Sequence, residues 1–157
     1  MRITLVTVGR TDIPWVREGL EMYVSRLEHY VPFTLKEIPE LKGVSALSQD
    51  QIRQREGEGI LRLLKPSDEL VLLDERGREY RSLEFARWLE GRLSHSGRDL
   101  VFAIGGAYGF SEPVYARADA QVSLSKMTYS HQLVRTIFAE QLYRAFTILR
   151  GEPYHHE

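Results

Sequence analysis

Glu69-Leu70-Val71-Leu72-Leu73-Asp74 decides the fold. The four residues between the acidic ends are all apolar, so both faces of this strand face other protein. Strands buried on both faces belong to parallel sheets covered by helices on each side. Downstream, Arg76-Gly77-Arg78 reads as a turn. Ser82 is placed to cap a helix carrying Phe85, Ala86, Leu89 and Leu93 on one face, and Gly97 ends it. Asp99–Ile104 is the next strand. A short helix starting near Ser111-Glu112-Pro113 separates it from a strand at 121–124, and Leu133–Leu149 is the last helix.

Upstream, Ile3–Gly9 reads as the first strand. Asp12 is placed to cap a helix with Pro14 in its first turn, where a missing N–H costs nothing. Val16, Leu20, Tyr23, Leu27 and Tyr30 recur at steps of three and four and give that helix a buried face. Pro32 ends it, Phe33–Ile38 is the second strand, residues 40–46 are a loop, and 49–64 read as a helix. Strand and helix alternate five times, which predicts an α/β fold with a mostly parallel sheet and helices on both faces. Neither a repeat nor a linker divides residues 1–157, so one domain is expected.

Composition narrows the chemistry. The 157 residues are 43% hydrophobic and 27% charged, with a net charge of −1. That balance suits a soluble globular protein and gives no overall basic field for capturing naked nucleic acid. With no cysteines, disulfides, thiol nucleophiles and cysteine-zinc sites are impossible. The apolar run at 3–8 is too short for a signal segment or a membrane span, so a cytoplasmic location is expected, without a membrane partner.

Two strand exits at one end of such a sheet form a pocket. The first is Gly105-Gly106-Ala107-Tyr108-Gly109-Phe110. Its glycines either let a flat ligand approach the backbone or simply make a tight turn; they do not complete a dinucleotide fingerprint, which is G-x-G-x-x-G after a first strand. The second is Leu124-Ser125-Lys126-Met127-Thr128-Tyr129-Ser130, an unusual exit that offers backbone N–H and C=O groups beside a methionine. Such groups can read an adenine edge, with Met127 and Leu73 available to pack its faces. His131 near the start of the last helix reads as a cap, a loop residue or a base. Glu140 and Arg144 have the i,i+4 order of a solvated ion pair. Pro153-Tyr154-His155-His156-Glu157 is either a frayed end or a functional tail, and no carboxylate pattern supports metal binding by its histidines. Arg76, Arg78, Arg81, Arg87 and Arg92 are largely balanced by neighbouring acids, which makes them a solvated surface before a phosphate contact.

Taken together, Ile3–Gly9, Leu72-Leu73-Asp74, residues 103–109, 124–128, 131–135, 140–145 and Pro153-Tyr154-His155 resemble the bacterial ribosomal RNA large subunit methyltransferase H family, of the SPOUT class. The resemblance spans the whole chain. It implies a C-terminal trefoil knot, a homodimer, and transfer of a methyl group from S-adenosylmethionine to N3 of a pseudouridine in 23S rRNA of the assembled ribosome. It implies that Leu73, Gly105, Gly106, Leu124, Ser125, Lys126, Met127, Thr128, Tyr129 and Ser130 bind the cofactor. His131, Arg144, Tyr154 and His155 would lie near the target base, the tail completing a site shared with a partner subunit. Ser130 and His156 depart from the family pattern, which has proline and a basic residue there. Two other readings remain: a nucleotide-cofactor oxidoreductase with a flavodoxin-like sheet, and a non-catalytic ribosome-binding factor.

Overall fold

The computed structural model describes residues 1–95 and 97–156. Five strands, β1 (Ile3–Val8), β2 (Phe33–Ile38), β3 (Glu69–Glu79), β4 (Leu100–Ile104) and β5 (Ala120–Ser123), form one parallel sheet in the order β2-β1-β4-β3-β5. The helices are α1 (Pro14–Leu27), α2 (Gln49–Arg62), α3 (Ser82–His95), α4 (Glu112–Arg117) and α5 (Leu133–Leu149), with a 3-10 turn at Val44–Ala46.

Strand periodicity sorts the core into two layers. Ile3, Leu5, Val71, Leu100, Phe102 and Ile104 point to one face, where they meet Leu20 and Leu27 of α1, Phe85 and Leu89 of α3, and Phe138 and Leu142 of α5. Val6, Val8, Leu70, Leu72, Val101 and Ala103 point to the other, against Ile60 of α2 and Val114 of α4. The Phe102 and Phe138 rings, 4.7 Å apart, seat α5 on the central strand β4. Removing such a ring costs about 3–5 kcal/mol. Because α3 follows β3 on one face and α4 follows β4 on the other, the chain diverges at the carboxyl ends of these neighbouring strands. A crevice opens there.

Several local expectations are corrected. Asp12 does not cap α1: Ile13 holds the cap position with no side-chain bond, while the Asp12 N–H donates to Gln132 Oε1 (3.1 Å). Ser82 is the first residue of α3 rather than its cap. Arg81 takes that place, its N–H donating to Glu84 Oε1 and its carbonyl accepting from the Phe85 N–H. Ser48 and Gln51 form a reciprocal capping box on α2, which ends at Arg62 rather than 64.

The largest correction is the turn expected at 76–78. Instead β3 continues to Glu79, with a register shift that brings both Leu73 and Arg78 opposite Val122 of β5. Residues 74–77 form the bulge. Gly77 is needed there, because a Cβ would sit 2.6 Å from the Val122 nitrogen and 2.7 Å from the Gln121 carbonyl carbon.

Candidate active site

The crevice is a cavity of about 670 Å³ at the carboxyl ends of β3, β4 and β5. Leu73, Ile104, Leu124 and Val134 supply its apolar wall; Gly105 and Gly106 supply open backbone. Gly105 allows the loop to close on itself, since a Cβ there would meet the Gly109 backbone at 3.2 Å. The exit of β5 folds along the wall under its own serines. Ser123 Oγ donates to the Ser125 carbonyl (3.0 Å), and the Met127 N–H donates to Ser125 Oγ (2.9 Å). Ser130 Oγ accepts from the N–H of Leu133 (3.1 Å), the first residue of α5, and so turns the chain into that helix.

Of the expected cofactor residues, Leu73, Gly105, Gly106, Leu124, Ser125, Met127, Thr128, Tyr129 and Ser130 line the cavity. Lys126 is not among the lining residues; its ammonium points out to Glu79 at 4.0 Å. Met127 sits at the rim and is 78% exposed. His131 is exposed and also lines the cavity.

The opposite wall is charged; of its residues Arg76 was expected first as solvated surface, and Gln49, Arg53 and Tyr115 carried no expectation of a site. Gln49 and Arg53 of α2, Asp74 and Arg76 of the β3 bulge, and Tyr115 of α4 all face the cavity. Tyr115 donates its hydroxyl proton to Asp74, and Arg76 Nη2 donates to the Tyr115 oxygen (2.6 Å) while its guanidinium lies 5.1 Å from the ring centre. Burial, then the Asp74 bond, pushes the Tyr115 pKa up. The only sequence signals were an acid at a strand end and an aromatic one turn into a short helix. Behind the glycine loop, Glu56 presses its carboxylate on Gly106, where a Cβ would meet both oxygens at 2.7 Å. Its Oε1 is buried and has no hydrogen-bond partner among the described residues. Burial, then the Glu40 charge, pushes its pKa up.

Arg144, Tyr154 and His155 do not reach this cavity in the same chain. Arg144 lies 13 residues along α5 from His131, or about 20 Å at 1.5 Å per residue. They form a second cluster. Arg144 Nη2 pairs with Glu140 Oε1 at 3.1 Å, its Nη1 lies 3.0 Å from His155 Nδ1, and its guanidinium covers the Tyr154 ring at 4.8 Å. Tyr154 also packs edge-on against Tyr143 (4.8 Å), and its hydroxyl lies 3.5 Å from that of Tyr23. The Glu140–Arg144 pair is therefore half-buried and organises the tail, where spacing alone suggested a solvated surface pair. Its carboxylate bonds raise the Arg144 pKa. Burial first, then the Tyr23 hydroxyl, pushes Tyr154 up to about 12. The tail is docked through Tyr154 and His155, His156 is exposed, and Glu157 lies outside the described residues.

A parallel sheet covered on both faces, with a glycine-lined cavity at its carboxyl edge, defines an α/β ligand-binding domain of the kind enzymes use. The family described as "Predicted SPOUT methyltransferase" matches residues 1–155, and the chain belongs to it. Its curated relatives include ribosomal RNA large subunit methyltransferase H of Parabacteroides distasonis, 51% identical over 157 residues and covering 100% of both chains. The proteins of that name from Bacteroides fragilis (50% identical, 100% of both chains) and Christiangramia forsetii (49%, 99% of both) match as fully. A solved structure, a probable methylase family protein from Haemophilus influenzae, shares the fold at a TM-score of 0.50 and 8% identity, over 99% of this chain and 70% of that one.

Proposed function

We propose that these 157 residues form one catalytic domain that transfers a methyl group from S-adenosylmethionine to N3 of a pseudouridine in 23S rRNA, on assembled ribosomes in the cytoplasm. The observation that carries the reading is the cavity itself. Nine of the ten residues assigned to the cofactor converge on it with His131 at the rim, in a chain half identical along its whole length to ribosomal RNA large subunit methyltransferase H. Family membership implies the trefoil knot in the segment that builds this wall.

The lining suits the cofactor. Apolar side chains and glycine backbone can sandwich a flat heterocycle, and the Asp74–Tyr115–Arg76 wall offers polar partners to a ribose or an amino acid moiety. When bound, S-adenosylmethionine supplies a methyl group on a good leaving group, so the protein's task is positioning. The N3 imide becomes nucleophilic as its proton leaves. Of the two histidines that could accept that proton, His131 and His155, the role is assigned to His131, which lines the cavity, whereas His155 Nδ1 lies against Arg144. Arg144 is assigned to stabilise charge on the flanking carbonyl oxygens, and the Tyr154 phenol to donate a hydrogen bond.

Within one chain His131 and Arg144 are too far apart to act on one base. A homodimer that brings the tail of one subunit to the cavity of the other removes the difficulty. Ile13, Trp15 and Met22 of the α1 region, exposed at 37%, 65% and 44%, offer apolar surface for that contact. The small net charge fits a substrate recognised as a shaped ribosomal surface rather than as free RNA.

The test is transfer of labelled methyl from S-adenosylmethionine to ribosomes lacking the modification, followed by mass mapping of the labelled nucleotide. Label on N3 of a 23S rRNA pseudouridine is expected. No label, on ribosomes that a known family member does methylate, would overturn the proposal and favour a non-catalytic ribosome-binding role.

A further inference from the structure

We propose that Arg135 is the positioning residue for His131. Its side chain, rather than the helix backbone, holds the His131 carbonyl and ties it to the carboxyl end of β1. This rests on the reading of His131 as the proton acceptor.

Arg135 is the largest fully buried side chain of the described residues, 1% exposed. All three of its guanidinium nitrogens donate. Nε donates to the His131 carbonyl (3.0 Å), Nη1 to the Gly9 carbonyl (3.0 Å) and Thr11 Oγ1 (2.7 Å), and Nη2 to the Val8 carbonyl (2.8 Å). Glu37 Oε2 stands 3.5 Å from Nη1 and supplies the opposite charge. In a regular helix the Arg135 backbone N–H would take the His131 carbonyl. Here that N–H donates to Gln132 instead (3.3 Å), which leaves the His131 carbonyl to the side chain.

A second tie runs beside the first. Gln132 Nε2 donates to the Arg10 carbonyl (2.9 Å) and its Oε1 accepts from the Asp12 N–H (3.1 Å). The backbone of His131 is thus fixed to the 8–12 segment on its C-terminal side by two buried side chains, while the imidazole stays exposed at the cavity rim. Apolar residues can often replace a buried ion pair without loss of stability, so packing alone is a poor reason to keep one. A planar fork that fixes a carbonyl to a strand end gives something a hydrophobic residue cannot: a defined direction for the neighbouring ring.

The experiment is a double-mutant cycle in single-turnover methylation of unmodified ribosomes, with S-adenosylmethionine affinity measured by calorimetry on each variant. Arg135→Lys keeps the charge and loses the fork. It is expected to slow methyl transfer about tenfold to a hundredfold, as a misplaced catalytic group does, with cofactor Kd unchanged. Combined with His131→Ala, it is expected to add no further loss. An equal loss in both backgrounds would overturn the role of Arg135 and leave His131 standing. Full activity of His131→Ala alone would remove the proton acceptor, and the proposal with it. If Arg135→Lys does not fold, Glu37→Gln leaves the guanidinium in place and is run through the same cycle. A smaller loss confined to the His131 background supports the proposal; no loss, or equal loss in both backgrounds, overturns it.

Discussion

The two ends of α5 are built from different materials. At its start, the cavity has one wall of strand exits, glycine backbone and side chains that lean outward, such as Met127 and Tyr129, facing the polar wall of Asp74, Arg76 and Tyr115. At its end, the Arg144–Tyr154–His155 cluster is held mostly through side chains: Tyr154 rests on Tyr143, Arg144 covers Tyr154, and Tyr30 donates to Glu152 at 2.7 Å, with the Glu152 N–H donating to the Thr147 carbonyl beneath them. A backbone-lined cavity can hold a ligand while tolerating side-chain change. A side-chain cluster loses its geometry with any one member. The first suits cofactor binding and the second suits selective contact with a substrate.

Complementation between variants shows whether the two ends of α5 act together. Mixing His131→Ala chains with Arg144→Ala chains, after unfolding and refolding together, is expected to restore methylation from two inactive parents. In the mixed dimer, one site then holds an intact His131 and an intact Arg144. No recovery in mixed dimers verified by mass would mean that the two ends do not meet across subunits. Next in size, His131→Ala is expected to lower kcat by about 10²–10⁴-fold, and Arg144→Ala to lower it too, both without weakening the cofactor. A parallel loss of S-adenosylmethionine affinity in Arg144→Ala, measured by calorimetry, would merge the two regions into one.

Gly77→Ala tests the cavity end alone. Its Cβ would collide with the β5 backbone, and overpacking of that kind costs about 1–3 kcal/mol. Chemical denaturation should show the loss, with tail contacts unaffected. Wild-type stability would show that the bulge yields freely. The smallest effect concerns Glu56. Its folded pKa is raised, so its ionisation penalises the native state above the unfolded value of about 4.3 and costs nothing below it. Glu56→Gln is therefore expected to raise the melting temperature at pH 8, with the gain vanishing below pH ~4. A gain that persists at pH 3 would refute the electrostatic cause.

The fold was legible where periodicity is strong. Leu70–Leu73 required a covered parallel sheet, and the stripe from Val134 to Leu149 placed α5 to the residue. The β3 bulge was not, because Arg76-Gly77-Arg78 carries turn composition and only the closeness of β5 reveals why glycine stands there. Leu73, the paired glycines and the 124–130 exit were readable as a site through family resemblance, their contribution being mostly backbone. Asp74, Tyr115 and Arg53 escaped because each has a common surface role on its own. Arg135 escaped for a stronger reason. A charge in the middle of an apolar stripe carries no sign of burial until the fold brings Val8, Gly9 and Glu37 around it.

The strand order has a consequence for synthesis. β3 lies between β4 and β5, and its last partner is formed from residues 120–123. A growing chain therefore carries β3, with its apolar 70–73 stretch, bare on both edges until β4 is made and on one edge until β5 follows some forty residues after β3, the condition under which edges recruit foreign strands. The 124–130 stretch of the cavity wall and α5 come after that edge is closed. The nascent protein is most exposed to aggregation just before the segment that makes it an enzyme has emerged.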